Sequence, residues 1–137
     1  MISLRGSLER REGSIITVYQ VLSAETAAQL AKDHGLSLFF IDGHMTTCKA
    51  DLLEQAARTL RFPGYFGFNW DALEDCLTDL SWLEPSNGYL IIWGCASKLK
   101  MMYPHDFRTA MDIWESAVTF WASRSTPMYV IVQVDEP

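Results

Sequence analysis

Phe62-Pro-Gly-Tyr-Phe-Gly-Phe-Asn-Trp-Asp-Ala-Leu-Glu-Asp-Cys-Leu-Thr-Asp-Leu80 is the stretch from which the rest of this chain is best read. Its first half is a loop: Pro63, Gly64 and Gly67 interrupt regular structure. Tyr65, Phe66, Phe68 and Trp70 crowd into the same few positions. Asn69 is a residue type that caps helices through its side-chain oxygen, and the spacing predicts a helix from Asn69 to about Trp82. At about 100° per residue, Leu73, Cys76, Leu77 and Leu80 share one side. Asp71, Asp75, Asp79 and Glu74 lie on the other. The predicted helix therefore buries a Leu/Cys stripe and turns carboxylates outward.

Upstream, Ser14–Leu22 is rich in β-branched residues and reads as a strand. Ser23 is placed to cap a helix running to His34, with Gly35 as its stop. Leu36–Ile41 reads as a second strand ended by Asp42-Gly43, and Thr47–Leu60 as a helix with Leu52, Leu53, Ala56, Ala57 and Leu60 at core spacing. Downstream come a strand at Tyr89–Trp93, a short helical turn at Lys98–Tyr103, an amphipathic helix from Asp106 to Ala122, and a last strand at Pro127–Val134. Residues 1–13 read as a loose polar arm. Trp93, Trp114, Phe120 and Trp121 fall at core spacing, and Trp82 reads as core or as a border of the acidic surface. Strands alternating with helices predict an α/β fold with a mainly parallel sheet.

The 137 residues carry 17 acids against 11 Lys and Arg, a net charge of −6. Five of the acids (Asp71, Glu74, Asp75, Asp79, Glu84) lie between Phe62 and Glu84, which holds no Lys, Arg or His; the remainder of the chain sums to −1. That balance opposes a broad nucleic-acid-binding surface. No apolar run reaches the ~20 residues of a membrane span. The N-terminal residues lack the apolar stretch of an export signal, so a cytoplasmic location is expected. Cys48, Cys76 and Cys95 form no close pair and read as reduced thiols, with Cys76 on the buried stripe.

The acidic face is costly as a purely structural feature. Asp71–Asp75 and Asp75–Asp79 are like-charge i,i+4 pairs, each worth about 0.2–0.5 kcal/mol of destabilisation. The helix has no base to offset them. The helix dipole favours acids in the first turn by roughly 0.3–1 kcal/mol each, but Asp79 lies too far along to benefit. An acidic helix face is most often plain solvated surface, and two or three of the loop's rings are expected to anchor the core; uncompensated carboxylates beside a loop of aromatics nevertheless suit a cationic partner. Other chemistries are weaker. His44 and Cys48 are spaced as two metal ligands with no second pair to complete a site, so no metal or cofactor is expected. Gly64–Gly67 matches a GxxG clamp in surroundings too acidic for phosphate. Asp71 and Asp75 as a catalytic carboxylate pair lack any substrate-binding frame.

The ordered run of an aromatic pair, Gly, a residue, Asn, an apolar residue, Asp-Ala-Leu, a residue and Asp-Cys-Leu resembles the central loop and helix of the barstar family of ribonuclease inhibitors. The downstream element order is similar from Leu36 to Val134. The resemblance implies a small non-catalytic α/β domain with a three-stranded parallel sheet packed against helices, spanning 36–137, with residues 1–35 as an added N-terminal strand–helix unit. It implies that Asp75 enters the cationic cleft of a ribonuclease with Asp71 beside it. Tyr65 and Phe66 would pack on the enzyme's rim, Gly67 would permit close approach, Asn69 would cap the helix and touch the partner, and Trp70 would add apolar contact. Glu74, Thr78 and Asp79 complete the expected binding set. Two positions depart from the family pattern: Glu74 stands where an aromatic is expected, and Phe68 where an acid is expected. Asp112 and Glu115 of the long helix are candidates for a further acid.

The expected function is that of an inhibitor or immunity protein for a small basic ribonuclease or an RNase toxin domain, acting as a monomer or weak homodimer. The competing expectation is a barstar-like adaptor or oligomerisation module that inhibits nothing, its binding carried by the N-terminal unit.

Overall fold

The computed structural model describes residues 4–19 and 22–135. In chain order the elements are α1 (Leu4–Arg10), β1 (Ser14–Val18), α2 (Ala24–His34), β2 (Ser37–Asp42), a 3-10 turn (Gly43–Met45), α3 (Lys49–Thr59), α4 (Trp70–Leu77), β3 (Tyr89–Gly94), α5 (Ser97–Met102), α6 (Pro104–Ala122) and β4 (Met128–Gln133). The sheet has four strands in the order β1-β4-β3-β2, every pairing parallel. The family resemblance implied three. The fourth is β1, whose five residues Ser14–Val18 pair with Tyr129–Gln133 of β4. The N-terminal unit thus continues the sheet at its edge.

Alternation along the strands makes two apolar faces. Ile41, Ile91, Trp93, Val130 and Val132 point to one side, where Leu52, Leu53 and Ala56 of α3, Leu73, Cys76 and Leu77 of α4, and Ile113, Trp114 and Ala117 of α6 close over them. Leu90, Ile92, Tyr129 and Ile131 point to the other side, against Leu8 of α1 and Ala27 and Ala31 of α2. All six residues of β3 and all six of β4 are buried, as expected for central parallel strands with both faces covered. Leu8 is 3% exposed. The arm expected at residues 1–13 is therefore, within the described residues, a short helix pinned by Leu8. The strand expected to reach Leu22 ends at Val18, and residues 20–21 lie outside the described residues.

Several local signals work as read. Ser23 Oγ accepts from the Thr26 amide at 3.1 Å, and Gly35 takes φ 65° as the left-handed C-cap of α2. Trp93 and Trp114 are fully buried. Trp82 and Trp121 are half-buried, their indole N–H groups donating to Leu60 O at 2.9 Å and Leu77 O at 2.7 Å. Both rings tie helix ends to the body.

One cap was not foreseen. Cys48, at the N-cap of α3, makes no side-chain capping bond. Asp51, one turn into the helix, reaches back instead: its Oδ2 accepts from the Thr47 hydroxyl at 2.7 Å and the Thr47 amide at 3.2 Å. Those two hydrogen bonds, the hydroxyl's first, hold the Asp51 carboxyl below its ordinary range. A group depressed in this way stabilises the fold above the ordinary carboxylate range, and the contribution is lost as pH falls through the depressed value. Asp51→Ala is accordingly expected to cost about 1 kcal/mol at pH 7. Urea unfolding at neutral pH and near pH 3 checks this, since the gap from wild type should narrow in acid.

Candidate functional site

The loop after α3 is fixed from below by its own aromatics. Phe62 packs against Phe66 at a steep tilt with ring centroids 4.9 Å apart, and makes a T-shaped contact with Trp82 at 5.8 Å. Phe66 is 6% exposed and belongs to the core cluster. It supports the loop and is not presented to a partner, contrary to the expected rim role. Phe68 lies over it at 4.7 Å with φ 52°, and is 57% exposed. The positive φ turns the chain so that Phe66 faces inward and Phe68 outward. Tyr65 is the most exposed ring of the loop, at 74%.

Asn69 ends the loop as expected, its Oδ1 accepting from the Ala72 amide at 2.8 Å. The helix it starts is shorter than predicted. It closes at Leu77, Thr78 caps the end by donating its hydroxyl to Glu74 O at 2.8 Å, and Leu80 takes φ 53°. A non-glycine residue in the left-handed region marks a chain reversal, and here it turns Leu80 into the core at 2% exposure. Asp79 consequently lies past the helix end, where its carboxylate accepts from the Ser81 amide at 3.3 Å. Of the four acids expected on one helix, three remain on it: Asp71 and Asp75, both exposed, with Glu74 half-buried beside them.

Leu73, Cys76 and Leu77 are buried as the stripe predicted. Burial raises the Cys76 thiol above its usual range, and the nearby charges of Asp79 and Asp75 push it the same way. It stays protonated at neutral pH and acts as a packed apolar group.

Tyr65, Gly67, Asn69, Trp70, Asp71, Ala72 and Asp75 line one open groove. The structure thus gathers six of the expected contact residues on one surface. Asp112 and Glu115 line a different groove, on α6, with Phe120. Asp112 is also engaged by Arg108 at 3.6 Å. The ion pairs among the described residues, Arg10–Glu12, Arg58–Glu54 and Arg108–Asp112, involve none of Asp71, Glu74, Asp75 and Asp79. Among the described residues these four acids therefore have no ion-pair partner.

One groove residue was missed. Lys49, the first residue of α3, lines the same groove, with its ammonium 5.1 Å from the centroid of the Trp70 ring. A cation in the first turn opposes the helix dipole, by about 0.3–1 kcal/mol. The stacking on Trp70 returns about 0.5–1 kcal/mol. The acidic segment carries no sign of it, because Lys49 lies 22 positions before Asp71. The signal available in the sequence was a lysine at the start of a predicted helix, where acids are favoured.

The Cys48–His44 pairing weighed as a ligand pair does not form. The His44 ring instead lies 3.4 Å from Cys95 Sγ. Among the described residues no group of three or more His, Cys, Asp or Glu side chains is arranged to hold a metal ion, and no helix is long and apolar enough to cross a membrane.

A parallel sheet covered by helices, with a glycine and aromatic loop feeding a short acid-faced helix, defines a small α/β domain with an open groove beside that helix. The chain belongs to the barstar family: the sequence model described as Barstar (barnase inhibitor) matches residues 36–133, from just before β2 to the end of β4. Proteins of that family are inhibitors rather than enzymes. No curated protein matches the chain significantly.

Proposed function

We propose that this protein inhibits a small basic ribonuclease, or the RNase domain of a larger delivered toxin, by seating the α4 groove over its active site. The observation that carries the reading is the pair Asp71 and Asp75, exposed and without an ion-pair partner among the described residues, on the helix where a barstar-family chain carries its acidic motif. A ribonuclease cleft must gather cations to bind RNA phosphates and stabilise developing charge. Carboxylates set opposite those cations form charge-assisted hydrogen bonds and exclude the substrate from the same sites. Tyr65, Gly67, Asn69 and Trp70 surround the two acids and supply the apolar and backbone contact that shields them from water. Glu74, Thr78 and Asp79 border the footprint. Inhibition by occlusion needs no cofactor, and we place it in the cytoplasm as immunity against a nuclease.

The test is capture by immobilised protein from cell extract and secreted fraction of the source, followed by RNA-cleavage assay of what is captured. The expected result is a basic protein whose ribonuclease activity is suppressed in the complex. Its association should slow as salt rises, because the screening length falls from about 10 Å at 0.1 M to about 3 Å at 1 M. Capture of a partner without nuclease activity, or equal capture by Asp75→Lys, would overturn the reading in favour of an adaptor role.

A further inference from the structure

We propose that Lys49 is a specificity-determining residue of this groove, placed to engage a carboxylate that the partner ribonuclease carries among its cations; the inference rests on the inhibitor reading above. The dipole cost of a cation in the first turn and the gain from stacking on Trp70 roughly cancel, so fold stability gives this position no preference for lysine. Lys49 occupies the first position of α3, where the helix dipole disfavours a cation. Among the described residues it forms no ion pair, although it shares the groove with Asp71 and Asp75.

The Trp70 face holds the ammonium, 5.1 Å from its centroid. This arrangement has a chemical consequence. An ion pair with Asp71 or Asp75 would cancel charge on both sides, whereas stacking on an indole restrains the cation and leaves the acids available. The groove therefore shows two negative groups and one positive group, brought together from α3 and α4. A cleft lined only by cations meets repulsion at Lys49. A cleft carrying a carboxylate among its cations is the complement, and RNA cleavage gives such a group a role, as the base that takes a proton from the attacking hydroxyl. Lys49 thus admits ribonucleases of mixed charge and rejects purely cationic ones.

Binding kinetics measured with the ribonuclease captured by wild type, and with barnase as a second probe, test this. The variants are Lys49→Met, an unbranched neutral side chain of similar reach, Lys49→Gln as a second neutral replacement, Lys49→Arg, and Asp75→Lys as reference. Both neutral variants should weaken binding of the captured enzyme roughly 10- to 100-fold, chiefly through faster dissociation. Lys49→Arg should stay within about threefold, since the guanidinium keeps both the stacking and the carboxylate contact. Unfolding midpoints should not move. Neutral variants that bind as well as wild type or tighter, while Asp75→Lys loses binding, would overturn the proposal and leave the inhibitor reading standing. If Asp75→Lys binds like wild type, or wild type binds no ribonuclease at all, the inhibitor reading falls and takes this inference with it.

Discussion

A chain shortened to residues 36–137 is expected to lose cooperative folding, even though the family match covers 36–133. The reason lies in the second face of the sheet. Leu90, Ile92, Tyr129 and Ile131 are each no more than 1% exposed, covered by Leu8, Ala27 and Ala31 of the N-terminal elements. Full exposure of four such side chains costs at most about 6–12 kcal/mol, at about 1.5–3 kcal/mol each. Total stabilities of single domains are about 5–15 kcal/mol, so even half of that bound removes a large part of the margin. The truncation also turns β4 into an edge strand. Its sequence Met128-Tyr-Val-Ile-Val-Gln133 is a β-prone run without charge or proline, the type that pairs with other copies when uncovered. Size-exclusion chromatography and urea unfolding of the shortened chain should show aggregates or a transition without a sharp midpoint. A cooperative transition at the wild-type midpoint would instead make residues 1–35 a detachable appendage. The truncation is accordingly a poor probe of binding, and point changes in the groove are needed.

The elements of this fold were legible where local chemistry decides them. Ser23, Gly35 and Asn69 cap helices through bonds that need only their own neighbours, and the buried stripe Leu73, Cys76, Leu77 follows from helical period. What the sequence hid was set by distant partners. Residues 14–18 read as a strand, but nothing in them tells that β4 is their neighbour more than a hundred residues away. The end of α4 was misplaced because Leu80 keeps the helical period while its backbone has turned over to φ 53°. Gly43 looked like a simple strand terminator. In the fold it lies against the end of β3, where an added Cβ would fall 1.8 Å from Gly94 O; only glycine lets the two chains meet.

The candidate site was legible in the same uneven way. Tyr65, Asn69, Asp71 and Asp75 were read from one continuous segment and line one groove. Phe66 and Phe68, neighbours of identical type flanking Gly67, could not be sorted by composition into inward and outward. The backbone at Phe68 sorts them. Lys49 escapes such a reading because its place in the groove arises only when the fold brings its ammonium over the Trp70 ring.

Asp75→Lys separates binding from folding most sharply, since the two effects should run in opposite directions. Asp75 is exposed and sits in the second half of an eight-residue helix. Lysine there is favoured by the dipole. It also replaces the like-charge contact with Asp71 by an acid-to-base i,i+4 pair in the preferred order, worth about 0.2–0.5 kcal/mol. Thermal stability should therefore hold or rise slightly. Binding should collapse. Removing one partner of a buried charge pair costs about 3–5 kcal/mol, roughly two to four orders of magnitude in Kd, and reversal adds repulsion from the cleft's own cations. Suppression of RNA cleavage should disappear at concentrations where wild type inhibits fully. A thermal melt and a ribonuclease titration on the same preparation check both halves. A variant that unfolds would mean that Asp75 holds the helix in place, and one that still inhibits would mean that the groove does not face the cleft.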